Sequence, residues 1–366
     1  MTVRIGFLGH GFMGRAHANA LDRLPRFFPD CPPVDRAVVI GLDLDDAQAG
    51  AERLGFDSAT TDWREALQRI DLLCNLTPNH RHTEPAIRAL ERDVHVLCEK
   101  PLADSLEAAD AMARAASESA ASAGVVYNYR FVPAVQYAKE LIARGDLGEI
   151  RHVRGHYLQD WMADPDVPWS WRTDAERAGT GALADIGSHL LDLARFLVGE
   201  VGRVSGDLRT IIPERPLIDR SGTREVDVDD AVTAQVRFEN DATGIFEASR
   251  VAPGHKNELS IAIDGSRGSL RFDLERLNEL EVYRDGGRGY ETVLVTEESD
   301  PYVSAWWPPG HVLGWEHTFV HQYAEVLGAI AADRPFDPDF ADGRETQAVL
   351  DAIERSAATE EWTTPV

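Results

Sequence analysis

Two short motifs of this chain hold three side chains that can act on the proton of an alcohol. Lys100 lies in Glu99-Lys-Pro101, and Asp185 and His189 lie in Asp-Ile-Gly-Ser-His. Histidine ordinarily titrates at about pH 6.5, so His189 suits proton acceptance near neutral pH. A lysine ammonium can stabilise negative charge that develops on the oxygen, and Asp185 can orient the histidine or bind a substrate hydroxyl. Together they predict loss of a hydroxyl proton while the C–H hydride leaves.

The spacing of the second motif supports this interpretation. On a helix, Asp185, His189 and Asp192 stand at i, i+4 and i+7, so that all three project from one face. Each residue alone also has a structural explanation, since Lys100 can be an exposed loop lysine and His189 a buried, satisfied histidine. Asp192 fits a supporting role as well as a functional one. The glycines at 179 and 181 allow close backbone approach before the motif.

A glycine-rich turn near the N-terminus predicts a dinucleotide site. The strand-like segment 3–8 leads into Gly9-His-Gly-Phe-Met-Gly14, and a helical pattern follows. The first glycine permits the tight turn, the second lets the backbone approach the pyrophosphate, and the third allows close helix–strand packing. Because three spaced glycines also arise by chance, the strand before them and the helix after them decide the interpretation. The predicted pyrophosphate-binding residues are Gly9, Gly11, Phe12 and Met13.

Asp43 follows the apolar segment 37–42 and is the predicted ligand of the adenosine ribose. A carboxylate there accepts hydrogen bonds from the ribose hydroxyls and repels a 2′-phosphate, which favours NAD over NADP. The alternative is that Asp43 only caps the following helix, for which Asp45 is the better candidate.

The segment Thr77-Pro-Asn-His-Arg-His82 follows the strand-like segment 71–76. Ligands of doubly wound sheets lie at the carboxyl ends of the strands, so Thr77, Asn79 and His82 are predicted to line the crevice for the nicotinamide ribose and pyrophosphate. The same argument places Glu99 and Lys100 there. The segment 77–82 could equally be a loop with a helix cap.

The order of the elements predicts two α/β domains, at 1–127 and 128–366. In the first, strands alternate with helices, as in the doubly wound parallel sheet of a Rossmann domain. The predicted strands are 3–8, 37–42, 71–76, 94–98 and 124–127, and the helices are 13–23, 45–54, 83–91 and 105–122. Successive strand patterns then predict a large, mostly antiparallel open sheet with helices over one face. Its strands are predicted at 150–159, 202–212, 231–238, 244–249, 259–264, 269–273 and 279–284, and its helices at 132–144, 185–198, 316–332 and 345–359.

The composition limits the possible partners. A formal net charge of −25 argues against nucleic acids and anionic membranes, which need a basic surface. The 3 cysteines match no zinc spacing, and Cys74 and Cys98 end apolar runs, as core thiols would. His317 and His321 share a helix face without a third ligand, so we expect helix-surface or interface histidines and no metal. Because no leader or spanning segment is evident, we expect a cytoplasmic location.

The motifs resemble those of the Gfo/Idh/MocA oxidoreductase family over essentially the full length. The matching segments are 9–14, 77–79, 99–101, 128–131 and 185–192. Residues 155–172 further resemble the branch that contains levoglucosan dehydrogenase and the inositol dehydrogenases. The resemblance implies a Rossmann domain, a second α/β domain with an open sheet often used for oligomerisation, NAD as cofactor, and hydride transfer to or from a sugar-like ring.

The resemblance also implies roles for individual residues. Lys100, Asp185 and His189 would form the catalytic group. The further residues expected at the cofactor are Asn128, Trp171 and Arg172. The residues expected at the substrate are Tyr129, Tyr157, Gln159, Trp161 and Arg172. Their polar groups can bind hydroxyls and their rings suit the C–H faces of a pyranose, although the tryptophans could equally be core or oligomer contacts.

The function expected from these residues is oxidation of a secondary hydroxyl of a sugar, anhydrosugar or inositol. The enzyme would use NAD, with NADP less favoured, and would form a homodimer or homotetramer. One alternative is an NAD-dependent glycosidase that oxidises its substrate transiently, eliminates and re-reduces. Another is a non-catalytic NAD-sensing regulator, against which the combination of Lys100, Asp185 and His189 argues.

Overall fold

The computed structural model describes residues 1–218 and 221–366. The chain forms two compact units. The first consists of Met1–Phe131 and Gly314–Arg344, and the second of Val132–Leu313 and Glu345–Val366. The chain first passes from one unit into the other after Phe131, near the predicted boundary at 127/128. The return of Gly314–Arg344 to the first unit differs from the predicted division into two continuous segments.

The first unit is built on a parallel six-stranded sheet with the order β3-β2-β1-β4-β5-β6. Its strands are β1 (Val3–Leu8), β2 (Val34–Ile40), β3 (Ala59–Thr60), β4 (Leu72–Asn75), β5 (His95–Cys98) and β6 (Ala123–Val125). Its helices before the crossing are α1 (Phe12–Phe27), α2 (Leu44–Leu54), α3 (Trp63–Ala66), α4 (Thr83–Leu90) and α5 (Leu106–Glu118). The order reverses between β1 and β4, which confirms the predicted Rossmann fold.

The core of this unit explains why its strands have continuous apolar sequences. Helices cover both faces of a parallel sheet, so all four side chains of β4 are buried, and only Arg4 of β1 and His95 of β5 are not. Cys74 and Cys98 lie in this core as free thiols, as predicted. Among the boundaries that differ from the prediction, α1 continues to Phe27, β2 begins at Val34 and α5 ends at Glu118.

The second unit contains an eight-stranded sheet with the order β16-β15-β14-β13-β7-β12-β11-β8. These strands are β7 (Ile150–Leu158), β8 (Val201–Arg209), β11 (Ala231–Phe238), β12 (Thr243–Ser249), β13 (Glu258–Gly265), β14 (Gly268–Asp273), β15 (Glu279–Arg284) and β16 (Glu291–Leu294). A separate ribbon pairs β9 (Glu214–Pro216) with β10 (Thr223–Glu225). Within the large sheet β7 and β12 are parallel and the other neighbours antiparallel, as expected for a mostly antiparallel sheet.

The helices of this unit cover one face of its sheet. They begin with α6 (Pro133–Ala143), α7 (Ala175–Ala178) and α8 (Ser188–Val198), of which α6 and α8 contact the strands. Buried and exposed residues alternate along β11, so the opposite face is open. None of the helices in the described parts of the chain has the length and hydropathy required to cross a bilayer.

The last two helices are α9 (His317–Ala331) and α10 (Phe340–Thr359). The prediction that 316–332 covers the second sheet is wrong, because α9 packs on α1 of the first unit. Phe319 and Tyr323 face His17 of α1 at ring-centroid distances of 5.2 and 5.5 Å. His317 and His321 were expected at the helix surface or in an interface, and both are buried in the structure.

Candidate active site

The turn between β1 and α1 has the form of a pyrophosphate cradle. Gly9 has a φ of +101°, and a Cβ there would lie 2.9 Å from the carbonyl oxygen of Leu76, so glycine is required. A Cβ on Gly11 would meet nothing within 4 Å, which leaves open space for a phosphate. No side chain caps α1 at Gly11, so an anion can satisfy its first amides, on Phe12 and Met13. The cradle lies where the strand order reverses, and its residues fit NAD.

Asp43 is the N-cap of α2. Its Oδ1 accepts a hydrogen bond of 3.0 Å from the amide of Asp46, so the expectation that Asp45 would be the cap is wrong. Capping engages one carboxylate oxygen and fixes the side chain at the end of β2. Both explanations given for Asp43 are therefore compatible, and its contact with ribose stays a prediction.

His82 connects the two loops at the carboxyl ends of β4 and β5. Its Nε2 lies 2.8 Å from the carbonyl oxygen of Thr77, and its Nδ1 lies 3.1 and 3.2 Å from those of Pro101 and Leu102. The ring is fully buried, and burial lowers the pKa of His82. It therefore supports the loop that contains Lys100 and presents no surface to a ligand, unlike the direct cofactor contact expected from the sequence.

Thr77 and Asn79 occupy the same loop. The Thr77 hydroxyl donates a hydrogen bond of 2.6 Å to Oδ1 of Asn75. Asn79 begins a short 3-10 turn and is buried. Both residues therefore lie at the ligand edge of the sheet as predicted by the topology, with their contacts to a cofactor still a prediction.

A buried polar network below Lys100 was not foreseen from the sequence. The Oε1 of Glu99 lies 3.0 Å from Nε2 of His17, whose Nδ1 lies 2.8 Å from the hydroxyl of Tyr323. That hydroxyl lies 3.2 Å from the sulfur of Cys74. The backbone amide of Lys100 donates to Oε2 of Glu99 at 3.2 Å. Glu99 is thus held from both oxygens and fixes the backbone from which Lys100 extends.

The buried environment of this network favours the uncharged forms of the Cys74 thiol and the Tyr323 phenol. Burial raises the pKa of Cys74 to about 12, and burial also raises the pKa of Tyr323 well above its ordinary value. Neither group exchanges a proton near neutral pH, so both act as fixed hydrogen-bonding groups behind His17.

Asp185 and His189 belong to different helical elements. Leu183–Gly187 forms a π-helical turn that contains Asp185, and α8 begins at Ser188. The expected α-helical i, i+4 relation between Asp185 and His189 is therefore wrong, although His189 and Asp192 lie on one α-helix. His189 and Asp192 are buried, whereas a quarter (25%) of the Asp185 side chain is exposed. Asp185 is the more accessible carboxylate, and π-turns are frequent at functional sites.

Asp229 holds the segment that enters the π-helical turn. Its carboxylate accepts hydrogen bonds from the amides of Gly181, at 2.6 Å, and Leu183, at 2.9 Å. A Cβ on Gly181 would lie 1.8 Å from the carbonyl oxygen of Asp229, so only glycine permits this approach. The close backbone approach that the glycines predicted is present. Burial raises the pKa of Asp229, while Arg250 and the two amides oppose that rise.

A row of polar side chains lies beside His189 in the second unit. The rings of Tyr157 and His189 have centroids 6.3 Å apart. Asn257 Oδ1 accepts hydrogen bonds from the Tyr157 hydroxyl, at 2.7 Å, and from Gln159 Nε2, at 2.6 Å. The indole of Trp161 donates to Gln159 Oε1 at 2.8 Å, and Trp161 is 41% exposed. The structure thus joins three of the predicted substrate residues and adds Asn257.

The remaining predicted residues are divided between the two units. In the first, Nδ2 of Asn128 donates to Thr318 Oγ1 at 2.8 Å, and Tyr129 is buried in the same 3-10 turn. In the second, the guanidinium of Arg172 stacks on the ring of Trp171 at 4.5 Å. Among the described residues, no group of three or more His, Cys, Asp or Glu side chains could hold a metal ion.

Known proteins resemble this chain along its whole length. Residues 3–127 match the model of the oxidoreductase family with an NAD-binding Rossmann fold, and residues 135–271 match that of the GFO/IDH/MocA C-terminal domain. The levoglucosan dehydrogenase of Pseudarthrobacter phenanthrenivorans is 41% identical, over 99% of this chain and 97% of its own.

Two solved structures have nearly the same fold. The oxidoreductase domain protein from Kribbella flavida has a TM-score of 0.97 and 44% identity, and the match covers 100% of this chain and 99% of that one. A levoglucosan dehydrogenase in complex with NADH and levoglucosan has a TM-score of 0.97 and 40% identity, with 100% of both chains covered.

Proposed function

The chain belongs to the Gfo/Idh/MocA oxidoreductase family, and we propose that it oxidises a secondary hydroxyl of an uncharged sugar ring, with levoglucosan as the leading candidate. It is an NAD-binding oxidoreductase of the sugar and inositol dehydrogenase type. The observation that carries the proposal is the row of Tyr157, Asn257, Gln159 and Trp161 beside His189, in a chain so similar to a levoglucosan dehydrogenase.

The charges around this row support an uncharged substrate. Arg250 lies 3.5 Å from a carboxylate oxygen of Asp185, and Lys256 pairs with Asp160. These cations are therefore compensated by carboxylates rather than left to bind a phosphate or carboxylate of the ligand. Amide, phenol and indole groups offer hydrogen bonds to hydroxyls, and the exposed indole offers a flat apolar surface to a pyranose.

The proposed chemistry assigns one task to each polar group. His189 accepts the hydroxyl proton through a ring nitrogen, while the ammonium of Lys100 donates a hydrogen bond to the same oxygen. Asp185 accepts a hydrogen bond from the substrate and keeps the alcohol in place. NAD, when bound, accepts the hydride from the carbinol carbon. Lys100 lies in the first unit, and Asp185 and His189 lie in the second.

The cofactor preference follows from the end of β2. We propose that Asp43, oriented by its bond to the amide of Asp46, binds the ribose hydroxyls. Asp45 and Asp46 add negative charge to the first turn of α2. This charge opposes a 2′-phosphate, so we expect NAD to be preferred to NADP.

We also propose that the protein is a homodimer or homotetramer, formed through the open face of the second sheet. Ile245 of β12 is 53% exposed on that face. A second subunit over that face would remove this side chain from water.

The proposal is tested with purified protein, NAD or NADP, and a panel of alcohols. The panel contains levoglucosan, glucose, myo-inositol and, as the charged control, glucose 6-phosphate. The readout is the absorbance of reduced nicotinamide. We expect accumulation with levoglucosan and NAD and little with the phosphate ester. Net NADH from none of the neutral rings would refute the dehydrogenase, and cleavage of a glycoside with NAD bound would support the glycosidase instead.

A further inference from the structure

We infer that Arg250 is a positioning residue that holds the carboxylate of Asp185 in its working orientation and couples it to the segment that contains Arg172. Arg250 follows β12 directly, and its side chain is almost completely buried, with an exposure of 1%. The inference rests on the proposed role of Asp185 in the dehydrogenase reaction.

The guanidinium of Arg250 contacts three separate parts of the second unit. One nitrogen, Nη1, lies 3.5 Å from Oδ2 of Asp185 and donates to the carbonyl oxygen of Arg172 at 3.4 Å. The other, Nη2, donates to the carbonyl oxygen of Asp229 at 3.1 Å. The planar guanidinium can hold these directions simultaneously, which the point charge of a lysine cannot do.

The contact with Asp229 gives Arg250 influence over the π-helical turn. Asp229 fixes the amides of Gly181 and Leu183, just before Asp185. Arg250 therefore determines the position of Asp185 in two ways, through the carboxylate itself and through the segment that leads to it. A rotation of Asp185 away from Arg250 would separate two opposite charges at the edge of a buried site, which is costly.

The backbone of Arg250 extends this coupling to the proposed substrate residues. Its amide donates to the carbonyl oxygen of Asp230, and its carbonyl oxygen accepts from the amide of Met162 at 3.1 Å. Met162 follows Trp161, whose ring centroid lies 6.0 Å from the guanidinium carbon. The same residue thus fixes Asp185 and the start of the loop that contains Trp161.

Three other buried charged residues lie near Arg250. Arg215 and Asp230 are completely buried, with 4.0 Å between Nη2 and Oδ1, and Asp229 is also buried. Arg215, Asp229 and Asp230 therefore lie with Arg250 in the buried part of the unit. Asp185 lies at the accessible edge, with a quarter (25%) of its side chain exposed, and Arg250 is the buried arginine that contacts it.

The test is a double-mutant cycle between Arg250→Met and Asp185→Asn. If Arg250 acts through Asp185, we expect Arg250→Met to lower kcat/KM for levoglucosan by roughly 10–100-fold in the wild-type background but by about threefold or less in Asp185→Asn. The KM for NAD should stay within about twofold in both backgrounds. Arg250→Lys keeps the charge and should retain more activity than Arg250→Met.

The matched control is Arg195→Met, which removes another buried arginine of the same unit. Arg195 donates to Glu200 at 2.8 Å and to Thr346 at 2.8 Å. Its effect on kcat/KM should be the same with Asp185 or Asn at position 185, to within about twofold. If Arg250→Met does not fold, the cycle is carried out with Arg250→Lys.

A second cycle, on the thermal unfolding midpoint, needs no substrate. Arg250→Met should lower the midpoint by less in Asp185→Asn than in the wild-type background, because the contact is already lost. Equal losses of kcat/KM in both backgrounds would overturn the positioning role, even if the unfolding cycle shows coupling. A wild-type protein that oxidises no sugar would refute the proposed function, and the unfolding cycle would still decide whether the two side chains interact.

Discussion

Replacing Gly181 by alanine should damage the second unit far more than an ordinary glycine substitution. The added Cβ would lie 1.8 Å from the carbonyl oxygen of Asp229, whereas real Cβ atoms do not approach other atoms to below 3.0 Å. The backbone must therefore move, and the bonds of 2.6 and 2.9 Å from Gly181 and Leu183 to the Asp229 carboxylate must lengthen. Each hydrogen bond to a charged group contributes about 1.5–3 kcal/mol, so losing both should cost about 3–6 kcal/mol.

The assay is thermal unfolding of the purified variant, followed by steady-state kinetics. For a unit of this size, where each kcal/mol shifts the midpoint by about 2–4 °C, the expected loss lowers it by roughly 6–24 °C. The matched control is Gly328→Ala in α9, where a Cβ would meet nothing within 4 Å. That change should stabilise the protein by about 0.4–1 kcal/mol, because alanine favours the helix. A Gly181→Ala variant as stable as wild type would refute the account of the Asp229 contact.

Two further predictions concern the first unit. Asp43→Ser keeps a side-chain cap on α2, so the free energy of unfolding should change by less than about 0.5 kcal/mol. It removes the carboxylate, so the KM for NAD should rise roughly 10–100-fold and the preference for NAD over NADP should become smaller. Steady-state kinetics with both cofactors checks this, and an unchanged preference would show that Asp43 only caps the helix. Burial lowers the pKa of His321 to about 3, so its contribution to stability is complete above about pH 6.5 and is lost as the pH falls towards 3. His321→Gln keeps a donor for the Phe131 carbonyl. It should reduce the slope of the unfolding free energy against pH, between about pH 3 and 6.5, by up to about 1.4 kcal/mol per pH unit. An unchanged slope would contradict the assigned role of His321.

The fold could be predicted largely because its elements have local signals. The parallel strands are short, mostly apolar runs. The tight turn after β1 requires glycines, and these can be recognised directly in the sequence. The pairing of α9 with α1 has no such signal, since an apolar helix face does not identify the surface that it covers. Asp43 and Asp45 are both suitable N-cap residues and lie only two positions apart. The sequence alone does not show at which of them the helix begins.

The candidate site could be predicted at the level of its motifs but not of its supports. Glu99, Lys100 and His189 lie in short recognisable segments. Their supports are distant in the chain, as Tyr323 lies 306 positions from its partner His17 and Asn257 lies 98 positions from Gln159. The π-helical turn likewise depends on Asp229, 46 positions beyond Leu183. Such contacts arise only when the sheet of each unit has formed.

The most direct test of the account is the rate of NADH formation from levoglucosan by the wild-type protein and by His189→Ala. The account predicts steady NADH formation by the wild type and a kcat lower by roughly 10²–10⁴-fold in the variant, because the hydroxyl proton has lost its acceptor. NADH binding should be retained in both proteins. A His189→Ala variant that oxidises levoglucosan within about threefold of the wild-type rate would contradict the claim that His189 accepts the proton.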